Sequence, residues 1–246
     1  DCFFMVVNAG TREDDATWIQ AHLSPATVFR DLSPERAKLD VQGPKSRCAV
    51  EDALNEELPP LRYFRFADIE LDGIPCTVSR TGYTGEFGYE LYFPIGETER
   101  LWERLLAPGF IRPAGLGARD TLRLEVGYPL YGHELSRDRT PVGVCRGMFI
   151  DLDKQFVGCE GIRRDMTAGV SNYLVGLRLA SRRAAREGDT ILYRGGMVGT
   201  VTSGSLAPSL EVAVAMGLVQ ESACEPGTEL QVDVRGTSLP ATVVEL

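Results

Sequence analysis

Histidine is scarce: the 246 residues contain only His22 and His133. The six cysteines, Cys2, Cys48, Cys76, Cys145, Cys159 and Cys224, form no CxxC pair and follow no pairing rhythm. A zinc site would be short of ligands, so no metal is expected, and the thiols fit a reducing compartment such as the cytoplasm. Positive charge is also in deficit, with 26 Lys and Arg against 35 Asp and Glu and a formal net charge of −9. Such a surface repels phosphate backbones and anionic headgroups on average, which argues against nucleic acid as a partner. Long hydrophobic runs are missing too. The longest apolar stretches, at 2–7 and 212–218, fall far short of the roughly 18 residues a membrane-spanning helix needs. Neither an internal repeat nor a low-complexity tract is present.

What remains is a globular composition, 43% hydrophobic and 25% charged, in a chain long enough for two domains. The chain opens at Asp1 without an initiator Met and runs straight into a β-prone segment at 2–7, bounded by Asn8 and Gly10. It ends on another strand-like run at 239–246. We therefore expect a piece of a longer protein whose first segment is an interior strand. No basic leader with a small-residue cleavage site is visible.

Acids in the first turn and helical spacing of Ala16, Trp18, Ile19 and Leu23 predict a helix from 11 that ends before Ser24-Pro25. Trp18 and Trp102 are expected in the core. Short strands are predicted at 28–32 and 38–41, and a helix at 46–54. Strands follow at 63–66, 69–71 and 74–78, with Asp72-Gly73 as a hairpin turn, and then a strand at 89–93 and a helix at 97–106. Beyond Asp165 about six short β-runs separated by Gly-rich turns predict a small barrel. The fold class is α+β, antiparallel sheet with helices on one face, followed by a C-terminal β-barrel. The expected domains are 1–162 and 173–246, with the boundary inside 163–172.

Two segments carry possible chemistry. In the first, Gly82, Gly85 and Gly88 interleave with Tyr83 and Tyr89, giving a loop whose backbone can approach a flat ligand beside aromatic faces. Strand alternation sets Glu90 apart from Tyr89, Leu91 and Phe93, so its carboxylate can accept two parallel hydrogen bonds from an amidine-like edge. On pattern alone a Gly-rich hairpin with an exposed Glu is the favoured reading, because turn glycines are common. In the second, Gly115 and Gly117 lack the third glycine and the βαβ unit of a dinucleotide site. A short helix at 118–126 closed by Gly127 sets Arg119 and Arg123 one turn apart, where they can clamp a carboxylate or pair with Asp120 and Glu125. His133 reads as a loop hydrogen-bonder, and Cys159, after Gly158, as a packed thiol.

The order and spacing of several segments resemble the aminomethyltransferase (T-protein) family of the glycine cleavage system. They are Val7-Asn8-Ala9 with Thr11-Arg12-Glu13, Val41-Gln42-Gly43-Pro44, and residues 82–90, 115–125 and 130–134. Residues 156–160, 202–210 and 215–219 extend the resemblance into the barrel. It implies a tetrahydrofolate-binding protein that receives a lipoyl-bound aminomethyl group from H-protein and splits it into ammonia and a methylene carried by folate. By the same resemblance Glu90 holds the 2-amino and N3 edge of the pterin, Arg119 binds folate, and Tyr83 and Asn8 line the pocket. Three departures are expected. The family's acidic catalytic residue falls before residue 1, which would leave this chain alone inactive; the family's C-terminal folate contact falls after Leu246; and Gly147-Met148 stands where relatives carry Gly-Trp. Two other readings are a folate-dependent demethylase of a small methylated amine or sulfonium compound, and a non-enzymatic folate-binding accessory protein of iron-sulfur or RNA-modification pathways. The Lys-Gly-Cys motif of the latter is matched only in Gly158-Cys159.

Overall fold

The computed structural model describes residues 2–145 and 149–246. The chain packs as two compact units, Asp1–Gly82 with Glu86–Pro113, and Tyr83–Gly85 with Ala114–Leu246. Among the described residues no helix is long and apolar enough to cross a membrane.

The first unit contains α1 (Arg12–His22), β1 (Arg36–Gln42), α2 (Ser46–Leu54), β2 (Phe66–Leu71), β3 (Ile74–Ser79), β4 (Gly88–Pro94) and α3 (Thr98–Leu106). The strands form one antiparallel sheet in the order β1-β4-β3-β2. Its two faces are sorted by the period of two. Val41, Leu71, Ile74, Cys76, Val78, Tyr89, Leu91 and Phe93 point to one side, where Val50 and Leu54 of α2 and Leu101 and Leu105 of α3 complete a buried core. Lys38, Asp40, Asp68, Thr77, Ser79, Glu90 and Tyr92 belong to the other register. Asp72-Gly73 joins β2 to β3 with both residues at positive φ, 53° and 74°, the two left-handed positions of a type I′ turn.

Four expectations fail in this unit. Residues 2–7 form no strand and stay exposed: they pair with no strand among the described residues. The predicted strand at 28–32 is irregular: it lies between a turn in which Thr27 N donates to Ser24 O and one in which Arg36 N donates to Leu32 O and Ser33 N to the Asp31 carboxylate. The predicted strand at 63–66 begins only at Phe66; Phe64 has φ 60° and closes a turn onto Arg80 O. Neither tryptophan is in the core. Trp18 is 52% exposed, on a helix with no buried residue, and stacks on His22. Trp102 is 42% exposed because α3 buries Leu101 and Leu105, one turn apart, and turns the next position outward.

The second unit carries α4 (Leu116–Glu125), α5 (Val142–Cys145), α6 (Cys159–Ala168) and six strands: β5 (Tyr173–Leu179), β6 (Thr190–Tyr193), β7 (Gly196–Ala207), β8 (Val212–Val219), β9 (Glu229–Val234) and β10 (Thr237–Val244). The strands close into a barrel in the order β10-β5-β8-β7-β6-β9. The hairpins β6–β7 and β9–β10 turn on Arg194-Gly195 and Arg235-Gly236, again with both residues at positive φ. Val175, Leu177, Ile191, Val201, Ala215, Val219, Val232 and Val243 fill the interior. The opposite face of β5, β7 and β8 is also buried: Leu174, Ala207, Met216 and Leu218 pack with Leu124 of α4 and Val144 of α5. This two-sided burial explains why β8 is an unbroken apolar run rather than an alternating one. Its Gly217 faces inward, where a Cβ would lie 2.5 Å from Ile191 Cδ1 and 3.0 Å from Thr200 O.

Candidate functional site

Glu90 lies on β4, on the sheet face opposite α2 and α3. Register puts Asp40 of β1 and Ser79 of β3 on either side of it, with Tyr92 two residues along. The side chain is 17% exposed, and each carboxylate oxygen is engaged. Lys38 Nζ donates to Oε1 at 2.6 Å and also lies 3.3 Å from Asp40, while Thr81 Oγ1 donates to Oε2. Partial burial works to raise the pKa of Glu90, but the hydrogen bonds from Lys38 and Thr81 outweigh it, and the carboxyl titrates below its ordinary range. Tyr92 is pushed far the other way by burial and then by the charge and hydrogen bond of Glu90, so its phenol stays protonated. The local balance is two carboxylates to one ammonium, a face that favours ligands bearing N–H donors. Phe4 packs edge-on against Tyr92 with centroids 5.3 Å apart, which lays the segment before Asn8 on this face. Asn8 itself is exposed, and its carbonyl accepts from Thr11 N at 3.2 Å.

Two glycines of the 82–90 loop, Gly82 and Gly88, face the Gln42 side chain. The Gln42 amide occupies the room a Cβ would take at both Gly82 and Gly88, and its Nε2 donates to Thr81 O at 3.2 Å and to Tyr89 O at 3.4 Å. At these two positions glycine makes space for a clamp across the loop mouth.

In the second unit, Arg119 sits on α4 with its guanidinium 4.8 Å from the centroid of Tyr83, a cation–π contact. The Tyr83 ring stacks on Tyr128 at 5.7 Å, and its hydroxyl donates to Tyr128 O at 3.4 Å and to Pro129 O. Burial raises the Tyr83 pKa, keeping the donor in place at neutral pH. The structure thus brings Tyr83 and Arg119 together. It does not make Arg119 and Arg123 a clamp. Arg123 is 1% exposed and is committed to Asp120, to Tyr128 O, to Ser203 and to Glu134, which is 0% exposed. Glu125 accepts from Ser209 N instead. His133 Nδ1 lies 3.1 Å from Thr202 O, the loop hydrogen bond its isolation suggested. Cys159 opens α6 and is buried, with Sγ 3.8 Å from Lys154 O. Gly147 and Met148 lie outside the described residues.

Lys38, Asp40 and Thr81, the partners of Glu90, escaped the sequence reading. A signal existed, since alternation along β1 puts Lys38 and Asp40 on one face, but only the strand register shows that this face is shared with Glu90. Glu134 and Ser203 left no comparable trace.

An antiparallel sheet with α2 and α3 on one face and the Glu90 carboxylate on the other, together with a closed six-stranded barrel, defines a two-module protein, α+β followed by a β-barrel. Comparison with known proteins gives the family. Residues 1–154 match the GCVT N-terminal domain, and residues 172–246 match the glycine cleavage T-protein C-terminal barrel domain. The chain is 41% identical to the aminomethyltransferase of Shouchella clausii over 251 residues, covering 100% of this chain and 68% of that protein. It is 41% identical to the aminomethyltransferase of Synechococcus elongatus, covering 98% and 65%. The crystal structure of glycine cleavage system aminomethyltransferase T from Bartonella henselae superposes with a TM-score of 0.87 at 31% identity, over 97% of this chain and 66% of that one. The chain therefore belongs to the glycine cleavage T-protein (aminomethyltransferase) family, and it spans about two thirds of the length of these relatives.

Proposed function

We propose that this chain carries tetrahydrofolate-binding surfaces of an aminomethyltransferase, with domains dividing within 163–172. Bound tetrahydrofolate accepts a methylene from the aminomethyl group carried by lipoylated H-protein, with ammonia released. Glu90 receives the 2-amino and N3 donors of the pterin. An ionised carboxylate is the state such an edge requires, and Lys38 and Thr81 hold it in that state while fixing its plane. Arg119 meets the anionic tail as a permanent cation, its guanidinium oriented by the Tyr83 ring. Asn8 completes the pocket wall. The residues named here orient a ligand rather than attack it, in keeping with a reaction whose main demand is alignment of donor and acceptor.

The observation that carries this reading is the depressed, hydrogen-bonded carboxylate of Glu90 on the sheet face opposite α2 and α3. The experiment is titration calorimetry of this chain with tetrahydrofolate, beside Glu90→Gln. Binding that weakens in the variant supports the assignment, and equal affinity refutes it.

A further inference from the structure

Arg123 and Glu134 take no part in the proposed ligand contacts, yet among the described residues they are the most completely buried charges of the second unit. Every guanidinium nitrogen of Arg123 donates to an acceptor. Nε and Nη2 reach Asp120 Oδ1 at 2.8 and 2.7 Å; Nη1 reaches Glu134 Oε2 at 3.0 Å and Tyr128 O at 3.1 Å; Nη2 also reaches Ser203 Oγ at 2.8 Å. Glu134 accepts in turn from Ser203 Oγ at 2.6 Å and from Leu130 N at 2.9 Å.

The strand that supplies Ser203 is irregular for this purpose. Val201 pairs with Gly217 and Ser203 with Met216, so Thr202 is an extra residue bulged out of β7. Without the bulge, Ser203 would share the inward side with Val201. With it, Ser203 joins Met216 on the outer side, facing Arg123 and Glu134. A bulge re-aims side chains by one position, and here it turns a hydroxyl out of the barrel into a buried ion pair. The displaced Thr202 keeps its carbonyl on His133, while its hydroxyl is buried without a partner.

The network grips one short piece of backbone from two sides, since Arg123 holds Tyr128 O and Glu134 holds Leu130 N. That same piece, at Tyr128 O and Pro129 O, receives the Tyr83 hydroxyl, and the Tyr83 ring carries Arg119. We infer that Arg123, Glu134 and Ser203 are positioning residues that set the Tyr83–Arg119 couple through residues 128–130. In its consequence for ligand binding, this inference rests on the reading that Arg119 and Tyr83 meet folate. The positioning itself does not.

The test uses the full chain. Removing one charge of a buried pair can unfold a protein, whereas replacing both by apolar residues is often tolerated, so the main variant is the double substitution Arg123→Met with Glu134→Leu. Ser203→Ala is the mild variant. The first measurement is the NMR shift of the Arg119 δ-methylene protons, moved upfield by the Tyr83 ring, with Tyr83→Leu giving the unshifted position. The second is tetrahydrofolate affinity by calorimetry, with Arg119→Ala as reference. Expected is loss of most of the Arg119 ring shift in the folded double variant, part of it in Ser203→Ala, and a fall in affinity of about tenfold, the scale on which supporting partners of a ligand contact act. A folded double variant that keeps the ring shift overturns the inference; should it fail to fold, an unchanged shift in Ser203→Ala does so. Unchanged affinity in Arg119→Ala overturns the folate role of that residue and leaves the ring shift to decide the positioning.

Discussion

The polar face of the first unit's sheet and the outer face of the barrel each hold a carboxylate paired with a cation, and the two pairs are built to opposite ends. Glu90 and Lys38 are partly exposed and share Asp40. Arg123 and Glu134 are shut away from water, and every nitrogen of the guanidinium donates to an acceptor. An unsaturated pair at the edge of solvent can exchange a partner for a ligand, whereas a saturated buried pair can only hold its neighbours still. A charge pair therefore says little about role until its remaining hydrogen-bonding capacity is counted.

The sharpest way to break this comparison is Glu134→Ala, which strands Arg123 without its counter-ion. We expect a loss of about 3–5 kcal/mol in unfolding free energy by urea titration; a loss under about 1 kcal/mol would equate the two pairs. Glu90→Gln is the converse. It should lower tetrahydrofolate affinity by the worth of charged hydrogen bonds, about 1.5–3 kcal/mol, and lower the unfolding free energy by less than about 1 kcal/mol, the scale of a partly exposed ion pair. Gly217→Ala, which forces a methyl against Ile191 and the Thr200 carbonyl, should cost about 1–3 kcal/mol of stability as overpacking, with affinity unaffected. The pH dependence sharpens the contrast. Glu90 titrates below its ordinary range, so its contribution to stability is present above the unfolded carboxylate pKa and is lost as pH falls through the depressed folded value. Folate binding should fail along the same acid limb, and Lys38→Met should move that limb to higher pH in calorimetry at stepped pH. The smallest effect is expected for Trp18→Ala, within about 0.5 kcal/mol by thermal melt, since that indole lies on a helix without buried residues.

The elements that announce themselves in the sequence are those whose signal is local. Helix α2 and the turn at Asp72-Gly73 appear where predicted because the helical period and the left-handed turn geometry are each written within a few residues. The barrel is legible from its run of short strands and turns. The segment at 2–7 is misread because β-propensity says nothing about whether a partner strand exists. Trp18 and Trp102 are misread because helical spacing marks a stripe without fixing which edge of it the core reaches. At the site, Glu90 stands out through alternation alone, but the Lys38 that grips it is 52 residues away in sequence. Ser203 was beyond reach for a different reason. Its orientation depends on one extra residue in β7, and a period-two reading assigns it to the wrong side of the barrel.

The two barrel hairpins closed by Arg194-Gly195 and Arg235-Gly236 also bear on the order of assembly. Each brings neighbouring strands together across a turn of two residues, while the seam between β5 and β10 joins segments some sixty residues apart. Loop-closure entropy makes short-range pairings fast and the long-range seam slow. In pulse-labelled hydrogen exchange during refolding, amides of β9 facing β10 should gain protection before those of β5 facing β10, so the barrel closes last along that seam.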